Sequence, residues 1–118
     1  MTFNEKKSIY LQIADKICES ILTGEYKEEG RIPSVRETAA EVEVNSNTVM
    51  RTYDYLQGQE IIYTQRGLGY FVSKGAQKAI KQMRKNEFVK ETLPDIAHTM
   101  KTLGMTPEEV INYINELL

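Results

Sequence analysis

Guanidinium, amide and hydroxyl groups are grouped in the middle of the chain. The run Asn45-Ser46-Asn47-Thr48 places four small polar side chains in succession, and arginines stand at positions 31, 36, 51 and 66. Groups of these types donate hydrogen bonds to phosphate oxygens and can pair with base edges. The pattern therefore indicates recognition by charge and hydrogen bonds rather than a covalent reaction.

Residues suited to catalysis do not converge. The single histidine, His98, is far along the chain from the single cysteine, Cys18, whereas nucleophilic or metal chemistry needs such groups together. We interpret Cys18 as a packing residue and His98 as a surface or interface residue, and no glycine-rich nucleotide loop is present. We expect a protein that is not an enzyme and that holds no cofactor and no metal.

The elements that would position the polar groups begin with a short helix. Ser34 can accept from the amide of Glu37 while the Glu37 side chain reaches back to Ser34, which is the S-x-x-E capping box. Val35, Ala39 and Val42 then recur at helical spacing and predict the buried face of this helix.

A second helix is expected after the tight turn Glu43-Val44-Asn45. Asn45 has the side chain of an N-cap, and Val49, Tyr53 and Leu56 follow at the spacing of a buried stripe. The residues expected to point outward are Asn47, Met50, Arg51 and Asp54. This polar face carries the groups that could bond base edges.

A hairpin is expected next. Gly58 is interpreted as the helix terminator, and the β-rich runs Glu60 to Thr64 and Tyr70 to Ser73 flank a tip with two glycines, Gln65 to Gly69. Arg66 lies in this tip, where a phosphate or a minor groove could be met. Helix, turn, helix and ribbon in this order predict a winged helix-turn-helix, in which the second helix enters the DNA major groove.

These motifs resemble the GntR family of bacterial transcription regulators. The resemblance rests on Pro33-Ser34-Val35-Arg36-Glu37, on Asn47-Thr48-Val49 and on the hairpin from Arg66 to Val72, and it extends back to Ser8 to Ile13 and Ile21 to Gly24. With so short a chain beyond the hairpin, it is similar to the short-tailed YtrA-like subfamily. The resemblance implies that Arg36, the first turn of the second helix and the wing tip contact DNA.

A set of candidate DNA-binding residues follows from the polar face and the resemblance together. The set is Arg31, Ser34, Arg36, Asn45, Ser46, Asn47, Thr48, Arg51, Arg66, Gly67 and Gly69. Ser46 and Leu68 depart from the family pattern, which often has Arg and Lys there, and Glu29-Gly30 shifts a glycine by one place. The net charge of −2 runs against the basic footprint of most DNA-binding proteins. We interpret the arginines as a focused basic face on an acidic body.

Residues 76 to 118 are expected to form a helical tail separate from a DNA-binding domain at residues 1 to 75. Pro94 either kinks one long helix or separates two helices, with a cap near Thr92. Gly104 is interpreted as a helix stop, and Thr106-Pro107-Glu108-Glu109 is a second capping box. The tail either packs on its own subunit or pairs with a second copy, and we favour pairing. The expected dimerisation residues are Ile80, Met83, Val89, Leu93, Ile96, Met100, Leu103, Ile111 and Ile114.

The fold class we predict is α+β and mostly helical, a winged helix-turn-helix domain followed by a short α-helical dimerisation tail. The expected function is that of a homodimeric repressor that binds a palindromic operator in double-stranded DNA. A hydrophobic content of 41% fits a globular protein. No apolar run reaches about 20 residues, so we expect a cytoplasmic protein without a membrane partner. A small-molecule effector is left open. The alternative is a winged-helix protein-protein interaction module.

Overall fold

The computed structural model describes residues 7–118, and the chain divides into two compact units, Met1–Lys81 and Gln82–Leu118. In chain order the elements are α1 (Ile9–Leu22), α2 (Val35–Val42), α3 (Ser46–Gly58), β1 (Ile62–Gln65), β2 (Gly69–Val72), α4 (Ala76–Glu87), a π-helical segment (Phe88–Thr92), α5 (Leu93–Leu103) and α6 (Pro107–Leu117). The helices and the two-stranded sheet confirm the expected mostly helical winged fold.

The core of the first unit forms where α1 packs against α3. Ile13, Ile17 and Ile21 of α1 are buried, because their spacing places them on one face of the helix. Ile9 has the same spacing in the sequence but is not buried. Ile9 is the first residue of α1 and is 44% exposed at the edge of the packing.

Local capping chemistry sets the ends of α2. Ser34 Oγ accepts from the Glu37 amide at 3.1 Å, and the Glu37 carboxylate accepts from the Ser34 amide at 3.1 Å, so the predicted capping box is confirmed. The helix ends at Glu43, whose φ of 56° lies in the left-handed region. Asn45 Oδ1 then accepts from the Asn47 amide at 2.8 Å and caps α3, as predicted.

The inner face of α3 fills the centre of the first unit. Val49, Tyr53 and Leu56 are fully buried, which confirms the predicted stripe. Tyr53 is the largest of them, and its hydroxyl donates to the Pro33 carbonyl at 2.6 Å and shares a 2.8 Å hydrogen bond with Thr38 Oγ1. One buried hydroxyl therefore ties α3 both to α2 and to the segment that precedes it.

The wing is an antiparallel hairpin in which Ile62 pairs with Val72 and Gln65 with Gly69. The predicted runs were offset: β1 begins two residues after Glu60, because Glu60 adopts a left-handed φ of 60° that ends the α3 region. Gly58 does close α3, but the left-handed residue after it is Glu60 and not the glycine.

A third short segment runs beside β2. Arg31 forms a β-bridge with Phe71, the Ile32 amide donates to the Tyr70 carbonyl at 3.0 Å, and the Val72 amide donates to the Gly30 carbonyl at 2.9 Å. This pairing was not predicted, since so short a segment has no alternating pattern. It fixes the wing to the residues that lead into α2.

The tail resolves the alternatives for Pro94. The backbone stays helical from α4 through the π-helical segment into α5, and Thr92 has helical angles and no side-chain cap, so a break capped there is wrong. Proline lacks an amide hydrogen and cannot donate to the carbonyl one turn back. Just before it, the Leu93 amide donates to the Phe88 carbonyl, five residues back. This π-helical turn is one residue wider than an α-turn, and after this wide turn the helix continues through Pro94.

The end of α5 and the start of α6 form as the sequence indicates. Gly104 takes a φ of 70° and ends α5, which confirms the predicted stop. Thr106 and Glu109 form the second capping box, with Thr106 Oγ1 accepting from the Glu109 amide at 3.2 Å.

In the described residues we find no helix with the length and apolar character needed to cross a membrane.

Candidate DNA-binding surface

The outward face of α3 carries the candidate recognition residues. At about 100° per residue, this face runs from Met50 through Asp54 and Asn47 to Arg51, opposite the buried stripe. These four side chains and Ser46 are all exposed. The first turn of the helix also carries Thr48, which is half-buried. The polar groups of this turn are therefore available to a ligand that lies along the helix.

Arg51 marks one edge of this face. Its guanidinium carbon lies 4.0 Å from the centre of the Tyr10 ring in α1, a distance typical of a cation–π contact. The ring is itself supported: Tyr55 meets it edge-to-face with centroids 6.1 Å apart, and Thr52 Oγ1 donates to the Tyr10 carbonyl at 2.7 Å. Arg51 is thus held in one direction before any ligand arrives.

Met50 marks the opposite edge, next to the wing. The Tyr70 hydroxyl of β2 donates to Met50 Sδ at 3.8 Å. Below this contact the Tyr70 ring meets the buried Tyr53 ring edge-to-face, with centroids 4.8 Å apart. Two aromatic side chains therefore hold the wing against α3.

The wing tip carries an exposed arginine on a glycine-rich turn. Arg66 is exposed, and the glycines after it, Gly67 and Gly69, have φ values of 79° and 114°. A β-carbon built at Gly69 would lie 3.2 Å from Nε of Arg31. Gly69 thus allows the Arg31 side chain to lie close to the backbone of the hairpin.

The entrance to α2 adds Arg36, which is exposed on the first turn of that helix. The neighbouring capping box holds the pKa of Glu37 below its ordinary value, mainly because the Ser34 amide and then the Ser34 hydroxyl bond its carboxylate, with a smaller effect of the Arg31 charge. The cap thus favours the anionic form of Glu37.

The side chains of two candidate residues, Ser34 and Asn45, cap the helices α2 and α3. The Ser34 hydroxyl and the Asn45 side-chain oxygen each accept a backbone amide at a helix start. In a complex with a ligand, the Ser34 hydroxyl hydrogen and the Asn45 side-chain NH₂ group would be the atoms left to donate. Ion pairs join Lys7 to Asp15 and Lys16 to Glu41, and neither of these two pairs includes an arginine.

The candidate dimerisation residues lie in different settings. Ile80 belongs to the first unit and is fully buried, so it cannot contribute to a surface between copies. Met83 and Met100 are half-buried. The remaining predicted positions are exposed apolar side chains, namely Val89, Leu93, Ile96, Leu103, Ile111 and Ile114. The second unit therefore presents a set of apolar groups to solvent.

An open apolar groove lies between α5 and α6 within this second unit. Its volume is about 400 Å³, and it is lined by side chains that include Ile96, Met100, Val110, Tyr113 and Ile114.

In the first unit, a much smaller cleft of about 50 Å³ lies between α1 and α2, beside Tyr26. Burial and the nearby Glu41 and Glu25 charges raise the pKa of the Tyr26 hydroxyl.

Sequence reasoning missed the aromatic supports of the surface. Tyr10 and Tyr70 lie far in sequence from the α3 residues that they contact, and neither has a spacing that would mark its role. The expected packing role of Cys18 is confirmed by its burial. Among residues 7–118, no cluster of three or more histidine, cysteine or acidic side chains could hold a metal ion.

Known proteins share both the sequence and the fold. The model of the family "Bacterial regulatory proteins, gntR family" matches residues 9–72. The uncharacterized HTH-type transcriptional regulator YhcF of Bacillus subtilis is 38% identical over 95% of this chain and 91% of its own, and the HTH-type transcriptional repressor YtrA of the same organism is 33% identical over 92% and 83%.

A solved GntR-family protein from Bacteroides thetaiotaomicron is 51% identical, with a TM-score of 0.82 over 93% of this chain and 96% of that one. These similarities span both units. Members of this family are transcription regulators that bind DNA, not enzymes. With its capped helix-turn-helix, its arginine-bearing wing and its short helical tail, this chain belongs to the GntR family as a YtrA-like regulator.

Proposed function

We propose that this regulator acts in the cytoplasm as a homodimeric repressor that binds an inverted-repeat operator. In this proposal α3 enters the major groove of each half-site, the wing contacts the adjacent backbone or minor groove, and the second unit joins the two copies. The single observation that carries the proposal is the set of exposed apolar side chains on the tail helices.

The polar groups on each element support the proposed docking on DNA. Asn47 lies in the first turn of α3 with its side chain exposed, where an amide can pair with an adenine edge. Arg36 and Arg66 are exposed on α2 and the wing, where a guanidinium can bind phosphate. Arg51 is held by the Tyr10 ring, so less conformational freedom is lost when it binds.

The tail supports the proposed dimer. Leu103 is 65% exposed and Ile111 is 54% exposed, and the apolar groove between α5 and α6 lies on the same unit. Burying one large aliphatic side chain contributes roughly 1.5–3 kcal/mol. In a symmetric dimer, each copy would cover the apolar side chains of the other copy. The dimer would also present two copies of α3 to a symmetric operator.

Repression is supported by a relative. YtrA of Bacillus subtilis, at 33% identity over most of both chains, is described as a repressor. The described part of this chain contains a DNA-binding domain and a short helical unit, which suits a protein that acts by occupying a promoter. A small-molecule effector is not needed for this mode of action.

The proposal is tested with a double variant of the full chain, Ile111→Glu with Ile114→Glu. The matched control, Asn112→Glu with Asn115→Glu, adds the same two charges at the same spacing on α6, at exposed positions that are already polar. Sedimentation measures the oligomeric state, and gel shifts measure affinity for the DNA upstream of the protein's own gene and for a single half-site.

We expect the isoleucine variant to be monomeric and the asparagine variant to remain a dimer. Since linking two half-site contacts raises affinity by roughly 100-fold or more, the monomer should lose at least about that factor on the full operator and little on a half-site. An isoleucine variant that stays dimeric and binds the full operator as tightly as the unmodified protein would contradict the proposed interface.

A further inference from the structure

Met50 is the apolar member of the outward face of α3. Its side chain is 42% exposed, whereas its neighbours on that face, Asn47, Arg51 and Asp54, are polar or charged. A single exposed apolar side chain is ordinary on a protein surface. Here its position matters, because Met50 lies three residues after Asn47, on the turn that follows the expected base contact.

A second observation fixes where Met50 points. The Tyr70 hydroxyl donates to its sulfur at 3.8 Å, and the Tyr70 ring is in turn anchored on the buried Tyr53 ring. This contact holds the Met50 side chain on the wing side of α3. The Met50 side chain therefore lies between Asn47, the expected base contact, and the DNA strand that the wing would contact.

The DNA major groove offers a matching apolar partner. Among the groups that base pairs display there, the C5-methyl of thymine is the one that is recognised by apolar contact. A methionine side chain is unbranched and polarisable, and so it can adapt to such a methyl group. The other residues of this outward face, Asn47, Arg51 and Asp54, end in polar or charged groups.

We infer that Met50 is a specificity-determining residue that contacts the C5-methyl of a thymine in each half-site. The inference rests on the proposed docking of α3 in the major groove. It adds an apolar base contact that the candidate DNA-binding residues did not include. It also assigns a role to Tyr70, which positions the methionine without touching the base.

The test compares thymine with deoxyuridine, which pairs identically but lacks the methyl group. An operator is first selected from a library of random DNA duplexes, and each thymine of a half-site is then replaced singly. Affinities are measured by fluorescence anisotropy for the unmodified protein, Met50→Ala and Met50→Leu. Thermal unfolding of each variant checks that the fold is retained, as expected for an exposed side chain.

We expect one thymine in each half-site at which deoxyuridine weakens binding by unmodified protein about fourfold, the equivalent of about 0.8 kcal/mol. Met50→Ala should be insensitive to that replacement, and Met50→Leu should keep most of the sensitivity. An operator without a thymine at such a position, or a deoxyuridine penalty that Met50→Ala retains, overturns the inference alone. Failure to select any preferred sequence would overturn the proposed function together with it.

Discussion

Replacing Tyr53 by phenylalanine removes one oxygen atom from the centre of the DNA-binding unit. That oxygen bonds the Pro33 carbonyl at 2.6 Å and Thr38 Oγ1 at 2.8 Å, and Tyr53 and Thr38 are both buried. Because the Tyr53 hydroxyl donates to Pro33, the Thr38 hydroxyl is the donor in the second bond. The variant would leave a carbonyl and a hydroxyl without these partners while keeping the aromatic packing.

The expected loss in the free energy of unfolding is roughly 2–3 kcal/mol, since one buried unsatisfied polar group costs about 1–3 kcal/mol and the half-buried Pro33 can recruit water. For a unit of this size the melting temperature should fall by roughly 15 °C. Chemical denaturation of Tyr53→Phe and of Tyr53→Phe with Thr38→Val measures both effects. The double variant should recover part of the loss, because its Thr38 position no longer has an unpaired hydroxyl.

The same hydroxyl makes stability depend on alkaline pH. Burial raises the pKa of Tyr53 from 10.0 to about 12, despite an opposing effect of the Thr38 hydrogen bond. The neutral form is thus favoured in the folded state, and this contribution is fully present below pH 10 and is lost as pH rises towards 12. Tyr53→Phe should lack this loss.

If Tyr53→Phe changes the free energy of unfolding by less than about 0.5 kcal/mol at pH 7, the reasoning for this hydrogen-bond network is refuted.

Two further predictions concern the DNA contacts, and a third concerns the stability of the wing. Arg36→Ala should weaken operator binding by roughly 1–3 kcal/mol if the side chain contacts a base, with thermal unfolding unchanged because the residue is exposed; unchanged affinity in a gel shift would argue against this role. Arg66→Ala should weaken binding to many sequences and reduce the salt dependence, whereas Asn47→Ala should alter sequence preference, and titrations across salt concentrations and operator variants would expose a reversed pattern. Gly69→Ala should destabilise the wing more than Gly67→Ala, since both have positive φ but an added methyl at Gly69 would also approach an arginine side chain at 3.2 Å; equal unfolding free energies for the two variants would contradict the close approach.

The features that could be read from the sequence are those specified by neighbouring residues. The capping boxes at Ser34 and Thr106 need partners only three positions away, and both form as predicted. The buried stripe of Val49, Tyr53 and Leu56 follows from the 3.6-residue period of the helix. In each case the physical cause lies within one or two helical turns.

The features that were missed depend on residues brought together by the fold. Arg51 is held by Tyr10 of α1, and Arg31 pairs with Phe71 of the wing, each across about forty positions of sequence. No local pattern specifies such a partner, because the residues that meet are distant in the sequence. Ile80 shows the same limit, since its helical spacing indicates an apolar face but not which surface covers that face.

The π-helical segment from Phe88 to Thr92 changes how the residues of α5 must be counted. A turn closed by a hydrogen bond over five residues contains one more residue than an α-turn, so every later side chain points about 100° away from the direction that an uninterrupted α-helix would give it. A variant that lacks one residue of this segment and closes it with an α-turn would therefore keep the apolar face of α5 in its present direction. In a relative that has the same number of residues in this stretch but no wide turn, the residue aligned with Ile96 would instead point about 100° away. When this tail is aligned with a tail that lacks the wide turn, the extra residue should be placed opposite a gap.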